Sequence, residues 1–419
     1  MRRTRIGSMF ASLFLVCAMA VNLTGCSAEV WARNLMEGVT PQKVSIQGDL
    51  GSRNADVTDF AVRLFQASEK SGENTLVSPL SVLCALAMTA NGAEGETLEQ
   101  MEAVLGMTAE ELNGYLYSYI RNLPQGDNYK LSLANSVWFT EDERFTVNRE
   151  FLQLNADYYG ADIFRAPFDD RTCKDINNWV KRNTDEMIPE ILDQIPPDAV
   201  MYLVNALAFE AEWSDIYEKS QVRDGKFTRE DGTGQDAEFM YSTESAYLED
   251  EKASGFIKYY KGGRYAFAAM LPNEGVSVSD YIASLNGRSL NALLANPQYT
   301  AVLASIPKFE MKYGVEMSEI LMKMGMPRAF DPDNAEFERL GVSEDGNIYI
   351  DRVLHKTFIS VGEKGTRAGA ATIVEVTDCA DAEPQEPKQV YLDRPFVYML
   401  IDCENNVPFF IGTMMALKP

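Results

Sequence analysis

The chain has 419 residues, 46% of them apolar, with 62 acidic side chains against 38 basic ones, a single histidine and a net charge of −24. That length and apolar content supply a core for one large interleaved domain, while the acidic balance excludes binding to a nucleic-acid backbone, which needs lysine and arginine in excess. One histidine rules out metal centres built on histidine clusters, and the scattered cysteines offer no all-cysteine zinc site.

In chain order, Arg2, Arg3 and Arg5 precede the apolar run Met9 to Val21, and Leu23-Thr24-Gly25-Cys26 follows. A basic start, an apolar stretch of roughly a dozen residues and small residues before a cysteine describe a cleaved export signal, since a membrane span needs about 20 apolar residues. Residues 1–25 therefore read as a signal peptide. Cys26 reads as the lipidated first residue of a bacterial cell-surface lipoprotein, in contact with the membrane through that lipid alone; an ordinary export signal with release from the cell is the alternative. Losing the signal removes three arginines and no acids, so the mature chain carries −24 − 3 = −27, a balance that steers basic partners. Residues 26–52 are polar, with Pro41, Gly48 and Gly51 and no sustained periodicity. They read as a tether, and the folded domain as 53–419.

Helical spacing begins at Asp56, with Phe60, Val62, Leu64 and Phe65. Ser78-Pro79 opens a second helix, with proline in the first turn. A third, 109–121, carries Leu112, Tyr115, Leu116, Tyr119 and Ile120 on one face. Strands are expected at Lys130 to Phe139, Val200 to Glu210, Tyr265 to Leu271, Thr300 to Lys312, Leu354 to Val361 and Phe396 to Cys403. Helices and strands mix without strict alternation, which points to an α+β domain.

Gly362 to Gln389 does not fit a core. It starts with glycine and alanine, becomes β-branched, and ends in Glu383-Pro384-Gln385-Glu386-Pro387. It reads as a long exposed loop, of a length that in compact domains usually serves a function. As an extended strand it would put Thr366, Ala368, Ala370, Thr372, Val374 and Val376 on one side, all small or β-branched. Arg367, Gly369, Ala371, Ile373, Glu375 and Thr377 would take the other. Gly-Ala content alone would also suit a linker, but a linker has no reason to turn β-branched. With no proline before Pro384, every N–H from Gly365 to Ala380 is free to join a ladder.

Hydrolytic chemistry is excluded by what is missing. A nucleophile–base pair could use only His355, which lies in an apolar strand without a nucleophile-elbow context and reads as a buried, hydrogen-bonded structural histidine. Of the six cysteines, Cys17 falls in the signal and Cys26 at its end. Cys84 and Cys403 sit in apolar periodic segments as buried thiols.

Seven segments together resemble the serpin family, in the family's order and over essentially all of Asn54 to Pro419. They are NTLVSPLSVLCALAMTANGAEGETLEQM (74–101), INNWVKRNTDEMIPEIL (176–192), LVNALAFEAEW (203–213), MLPNE (270–274), IPKFEMKYGVEMSEILMKMGM (306–326), HKTFISVGEKGTRAGAAT (355–372) and DRPFVYMLIDCENNVPFFIG (393–412). The resemblance implies three β-sheets with about nine helices and a reactive-centre loop, about 363–392, that can insert into the largest sheet. Ser78, Ser81, Asn205 and His355 match the polar group beneath the sheet that controls strand parting, and Trp213 the tryptophan where insertion begins. Glu363, Gly365, Thr366, Arg367, Ala368, Gly369, Ala370, Ala371 and Thr372 match the loop hinge. Two departures stand out: Glu210-Ala211-Glu212 before the tryptophan, and Arg367 where an acid is common.

The same resemblance implies a monomeric protease inhibitor, not an enzyme, with no cofactor or metal. Its partner would be a serine protease, or as a second class a cysteine protease, trapped as an acyl-enzyme when the cut loop inserts. Sixteen residues from Glu363, the family's usual spacing, lands on Cys379, with Ala380 across the cleaved bond; the longer segment before Pro395 leaves the range 378–382 open. No lysine or arginine lies between Arg367 and Lys388, which disfavours a trypsin-like target and suits elastase- or subtilisin-like proteases with shallow pockets. A non-inhibitory serpin, acting as a binding or chaperone-like surface protein, is the alternative.

Overall fold

Burial sorts the apolar segments. Pro79–Ala90 is apolar on every side and all of its residues are buried, so this helix lies inside the molecule. Ser78 caps it, its hydroxyl accepting from the Ser81 N–H at 3.4 Å, and Pro79 stands in the first turn, where an N–H would have no helical partner. Ala109–Arg121 starts with a reciprocal Thr108/Glu111 capping box and buries Leu112, Tyr115, Leu116 and Tyr119.

The structure, a computed structural model, describes residues 31–46, 50–123, 129–141, 145–196, 199–344, 346–366 and 386–417. Among these, nine α-helices and three sheets of seven, nine and two strands form the expected α+β architecture. The seven-stranded sheet contains β1 (Arg33–Asn34), β2 (Tyr129–Thr140), β3 (Asp162–Ala166), β4 (Met201–Glu212), β5 (Phe309–Glu316), β6 (Arg352–Gly362) and β7 (Gly365–Thr366). Across the sheet they run β1-β3-β2-β4-β7-β6-β5. The central strand β4 is covered on both faces and so reads as a continuous apolar run. Leu203, Leu207 and Phe209 join the main core with the Pro79–Ala90 helix, while Tyr202, Val204 and Ala206 join a second cluster with Ile176 and Trp179 of the helix Asp170–Asn183.

Two expectations need correction. The strand foreseen over Thr300 to Lys312 is two strands in different sheets: Gln298–Pro307 pairs in the nine-stranded sheet, and β5 begins at Phe309. The inward positions change parity there, from Val302, Ala304 and Ile306 to Phe309 and Met311, because a period-2 pattern must slip when a strand changes sheets. The segment from Gly362 to Gln389, expected as one exposed loop, is drawn into sheets at both described ends and buried at the first, while 386–389 are exposed as expected. Gly362, Gly365 and Thr366 belong to the main sheet, with Gly365 and Thr366 buried, and Lys388 and Gln389 open the strand Lys388–Tyr391, parallel to Val302–Ser305. Ladder hydrogen bonds reclaim both ends.

Residues 31–46, within the stretch read as a tether, run along the body. Asp175 Oδ2 accepts from the N–H groups of Trp31 and Ala32, both at 2.9 Å. Arg33 and Asn34 then pair antiparallel with Arg165 and Phe164 as the outermost strand, and the Gln42 N–H donates to Asp157 Oδ1 at 2.6 Å.

Candidate functional site: the loop hinge and the polar group below it

β6 ends at Gly362, turns through Glu363-Lys364, and comes back as β7. That two-residue strand is wedged between β6 and β4: Thr366 faces Val361 on one side and Ala211 on the other, and Gly365 faces Gly362 and Glu212. Lower in the sheet β4 and β6 pair directly, in parallel, over Tyr202–Leu207 and Arg352–Thr357. The two long strands are therefore closed at one end and parted at the other, with the hinge in the opening.

Sequence explains the fit. A Cβ on Gly365 would lie 2.0 Å from the Ala211 carbonyl oxygen and 2.9 Å from Glu212 Cα, so only glycine allows this approach. The turn is pinned by three donors: the Trp213 N–H to the Lys364 carbonyl, the Tyr217 N–H to the Glu363 carbonyl, and Trp213 Nε1–H to the Gly362 carbonyl, each at 2.9 Å. Thr366, 1% exposed, shares a 2.5 Å hydrogen bond with the Tyr260 hydroxyl. Glu363 pairs with Lys308, which also donates to Glu238 at 3.0 Å. Burial alone would raise the Glu363 carboxyl, but the Lys308 ammonium outweighs it and holds that carboxyl below the ordinary glutamate range.

Under the hinge, Trp213 stacks on Tyr260 with ring centres 4.3 Å apart and planes 6° from parallel. The Lys258 ammonium, 2% exposed, sits 4.5 Å from the Tyr217 ring centre and pairs with Glu244 at 2.9 Å, the arrangement a buried cation requires. Tyr217, Glu244, Lys258 and Tyr260 carry no motif of their own. The one signal was a lysine directly after Phe256-Ile257 in an apolar strand.

The predicted polar group assembles where β4 and β6 still touch. His355 and Asn205 face each other across the two strands, with Nδ1 and Oδ1 2.6 Å apart. His355 Nε2 accepts from the Ser78 N–H at 3.0 Å, which leaves the proton on Nδ1, donating to Asn205. The Ser81 hydroxyl donates to the same Asn205 Oδ1 at 2.9 Å. All four residues are buried, and desolvation lowers the His355 pKa to about 3; the imidazole is neutral and structural.

Of the residues singled out in the sequence, Ser78, Ser81, Asn205 and His355 thus form one group, and Trp213, Glu363, Gly365 and Thr366 another. Cys26, Arg367, Ala368, Gly369, Ala370, Ala371, Thr372, Cys379 and Ala380 lie outside the described residues. Cys84 is a buried free thiol; Cys403 is free and half-buried, its pKa raised by burial to about 12.

Comparison with known proteins agrees with this geometry. The family model for serpins (serine protease inhibitors) matches residues 55–417. An uncharacterized serpin-like protein of Thermococcus kodakarensis is 30% identical over 370 residues, covering 86% of this chain and 85% of the relative. Tengpin, a thermophilic serpin, superposes in its native state with a TM-score of 0.87 at 48% identity over 92% of this chain and 100% of that one. In its latent state the TM-score is 0.79 at 48% identity, over 90% and 100% of the two chains. The chain belongs to the serpin family, whose members are in general protease inhibitors and not enzymes.

Proposed function

We propose that this chain is a one-use inhibitor that traps a serine protease as its acyl-enzyme. The observation that carries the reading is the hinge: Gly365 and Thr366 already occupy the slot between β4 and β6 that the rest of the loop would fill, while the strands below remain paired to each other. Thr366, the first of the small or β-branched alternate residues, is buried there with its hydroxyl satisfied. A loop cut at Cys379–Ala380 is released to continue this strand. Each hydrogen bond gained is worth about 0.5–1.5 kcal/mol, so a dozen residues supply on the order of 10 kcal/mol, comparable with the whole stability of a typical domain, about 5–15 kcal/mol. The uncut state is then metastable and persists for kinetic reasons. An acyl bond to the moving end passes that force to the protease, and an oxyanion hole pulled out of shape deacylates orders of magnitude more slowly.

A loop without basic residues between Arg367 and Lys388 supports an elastase- or subtilisin-like target. The test is to mix the mature protein with elastase and resolve the products by denaturing gel and mass spectrometry. A band at the summed mass, with a released peptide starting at Ala380, is expected; complete loop cleavage with full protease activity left would refute the trap. Arg367, a bulky charge within the hinge, favours the second reading, a non-inhibitory surface serpin, and that same negative outcome would select it. We further propose that the protein is exported and anchored through Cys26. Detergent-phase partitioning that is lost in Cys26→Ala tests this.

A further inference from the structure

The chain enters the sheet at the end opposite the hinge. Arg33 is level with Arg165, Arg165 with Phe139 and Phe139 with Met201, whereas Gly365 and Thr366 are level with Glu212 and Ala211. Because β1 runs antiparallel to β3, Ala32 and Trp31 extend still further from the hinge. Both are fastened there by Asp175, which accepts their two N–H groups. With β4 twelve residues long and a rise of about 3.3 Å per residue, Trp31 and the hinge are separated by roughly 40 Å.

From Cys26 to Trp31 is 31 − 26 = 5 residues, which even fully extended reach at most about 18 Å. A lipid on Cys26 therefore holds this end of the body at the bilayer surface. Trp31 is itself 76% exposed, against 0% for Trp138, 2% for Trp179 and 0% for Trp213, and an exposed indole beside a membrane partitions into the headgroup region. Resting on the reading of Cys26 as lipidated, we infer that the end of the body where Asp175 fastens Trp31 and Ala32 is a membrane-docking face. Trp31 sits in the bilayer interface, and the hinge and its loop are held away from the membrane, offered to proteases arriving from outside. Insertion from the hinge towards Met201 then carries a captured protease towards the bilayer.

The four tryptophans make the test selective, since three are buried and only Trp31 can meet lipid. The lipidated full-length protein is bound to phosphatidylcholine vesicles with or without brominated acyl chains, and tryptophan emission is compared. The docking face predicts partial quenching by brominated lipid that disappears in W31F. A reporter at the hinge end, K219W in the W31F background, replaces an exposed lysine beside Tyr217 and should stay unquenched. Vesicle-bound protein with Trp31 unquenched, or with the hinge reporter quenched instead, overturns the orientation. Lipid-processed protein that fails to sediment with vesicles overturns the anchor reading itself, a result distinct from either quenching pattern.

Discussion

Glu363 and Lys308 form an ion pair at the point where the chain turns out of β6, and this pair ties the base of the loop to the corner between two sheets. Both ends are partly exposed, with Glu363 at 42% and Lys308 at 24%. After solvent screening the pair is worth roughly 0.5 kcal/mol, so Glu363→Gln should shorten the half-life of inhibitory activity on warming about two- to threefold. The folded-state pKa is depressed, so the stabilisation is complete at neutral pH and is lost as acid protonates Glu363, below about pH 4.3. Half-lives of wild type and Glu363→Gln should therefore differ at pH 7 and converge in acid; equal half-lives at neutral pH would show that the pair holds nothing.

Thr366 marks the deepest described residue of the inserted hinge, and its burial sets a steric rule for the rest of the loop. Thr366→Arg would force a guanidinium into a buried slot beside Tyr260 in place of a satisfied hydroxyl, at a cost of several kcal/mol. Insertion should stall while the uncut loop, further along, remains available to a protease. The expected gel shows loop cleavage, little covalent complex and nearly full residual protease activity. Complex formed at the wild-type ratio would mean that this slot is not the entry point.

The specificity of the cleaved bond can be changed on purpose. With Cys379 before the bond, Cys379→Arg should turn the protein into a substrate and trap for trypsin-like proteases while weakening elastase recognition. The peptide released by trypsin should still start at Ala380. A trypsin cut only at Arg367 or Lys388, read by mass, would show that position 379 does not precede the presented bond.

What could be read from the residues divides along physical lines. The helix 109–121 and the strands around Lys130, Met201, Tyr265, Arg352 and Phe396 were legible because their apolar spacing is local. The break at Lys308 was missed although the sequence marks it twice, by the parity change between Ile306 and Phe309 and by Pro307, which ends the first strand. Ser78, Ser81, Asn205 and His355 were found through family resemblance alone: nothing local announces that a serine and a histidine 277 positions apart share a hydrogen bond. The Tyr260–Thr366 contact, spanning 106 positions, and the Lys258–Glu244 pair went unread for the same reason. They exist only once the sheets have packed.

His355 offers the cleanest test of the buried group, because it is the chain's one histidine and its NMR signal needs no assignment. Desolvation lowers its pKa to about 3, while an unfolded histidine titrates near 6.5. Between those values the unfolded chain takes up a proton that the folded chain refuses, so stability falls as pH drops through this window, by on the order of 5 kcal/mol in all. The single imidazole resonance should stay at its neutral position from about pH 8 down to about pH 5, where a solvent-exposed ring would complete most of its shift. His355→Asn should flatten this part of the acid dependence and lower stability at neutral pH, because the Ser78 N–H then loses its acceptor. A folded-state titration near 6.5 would mean that the ring is hydrated and that β4 and β6 are not sealed around it.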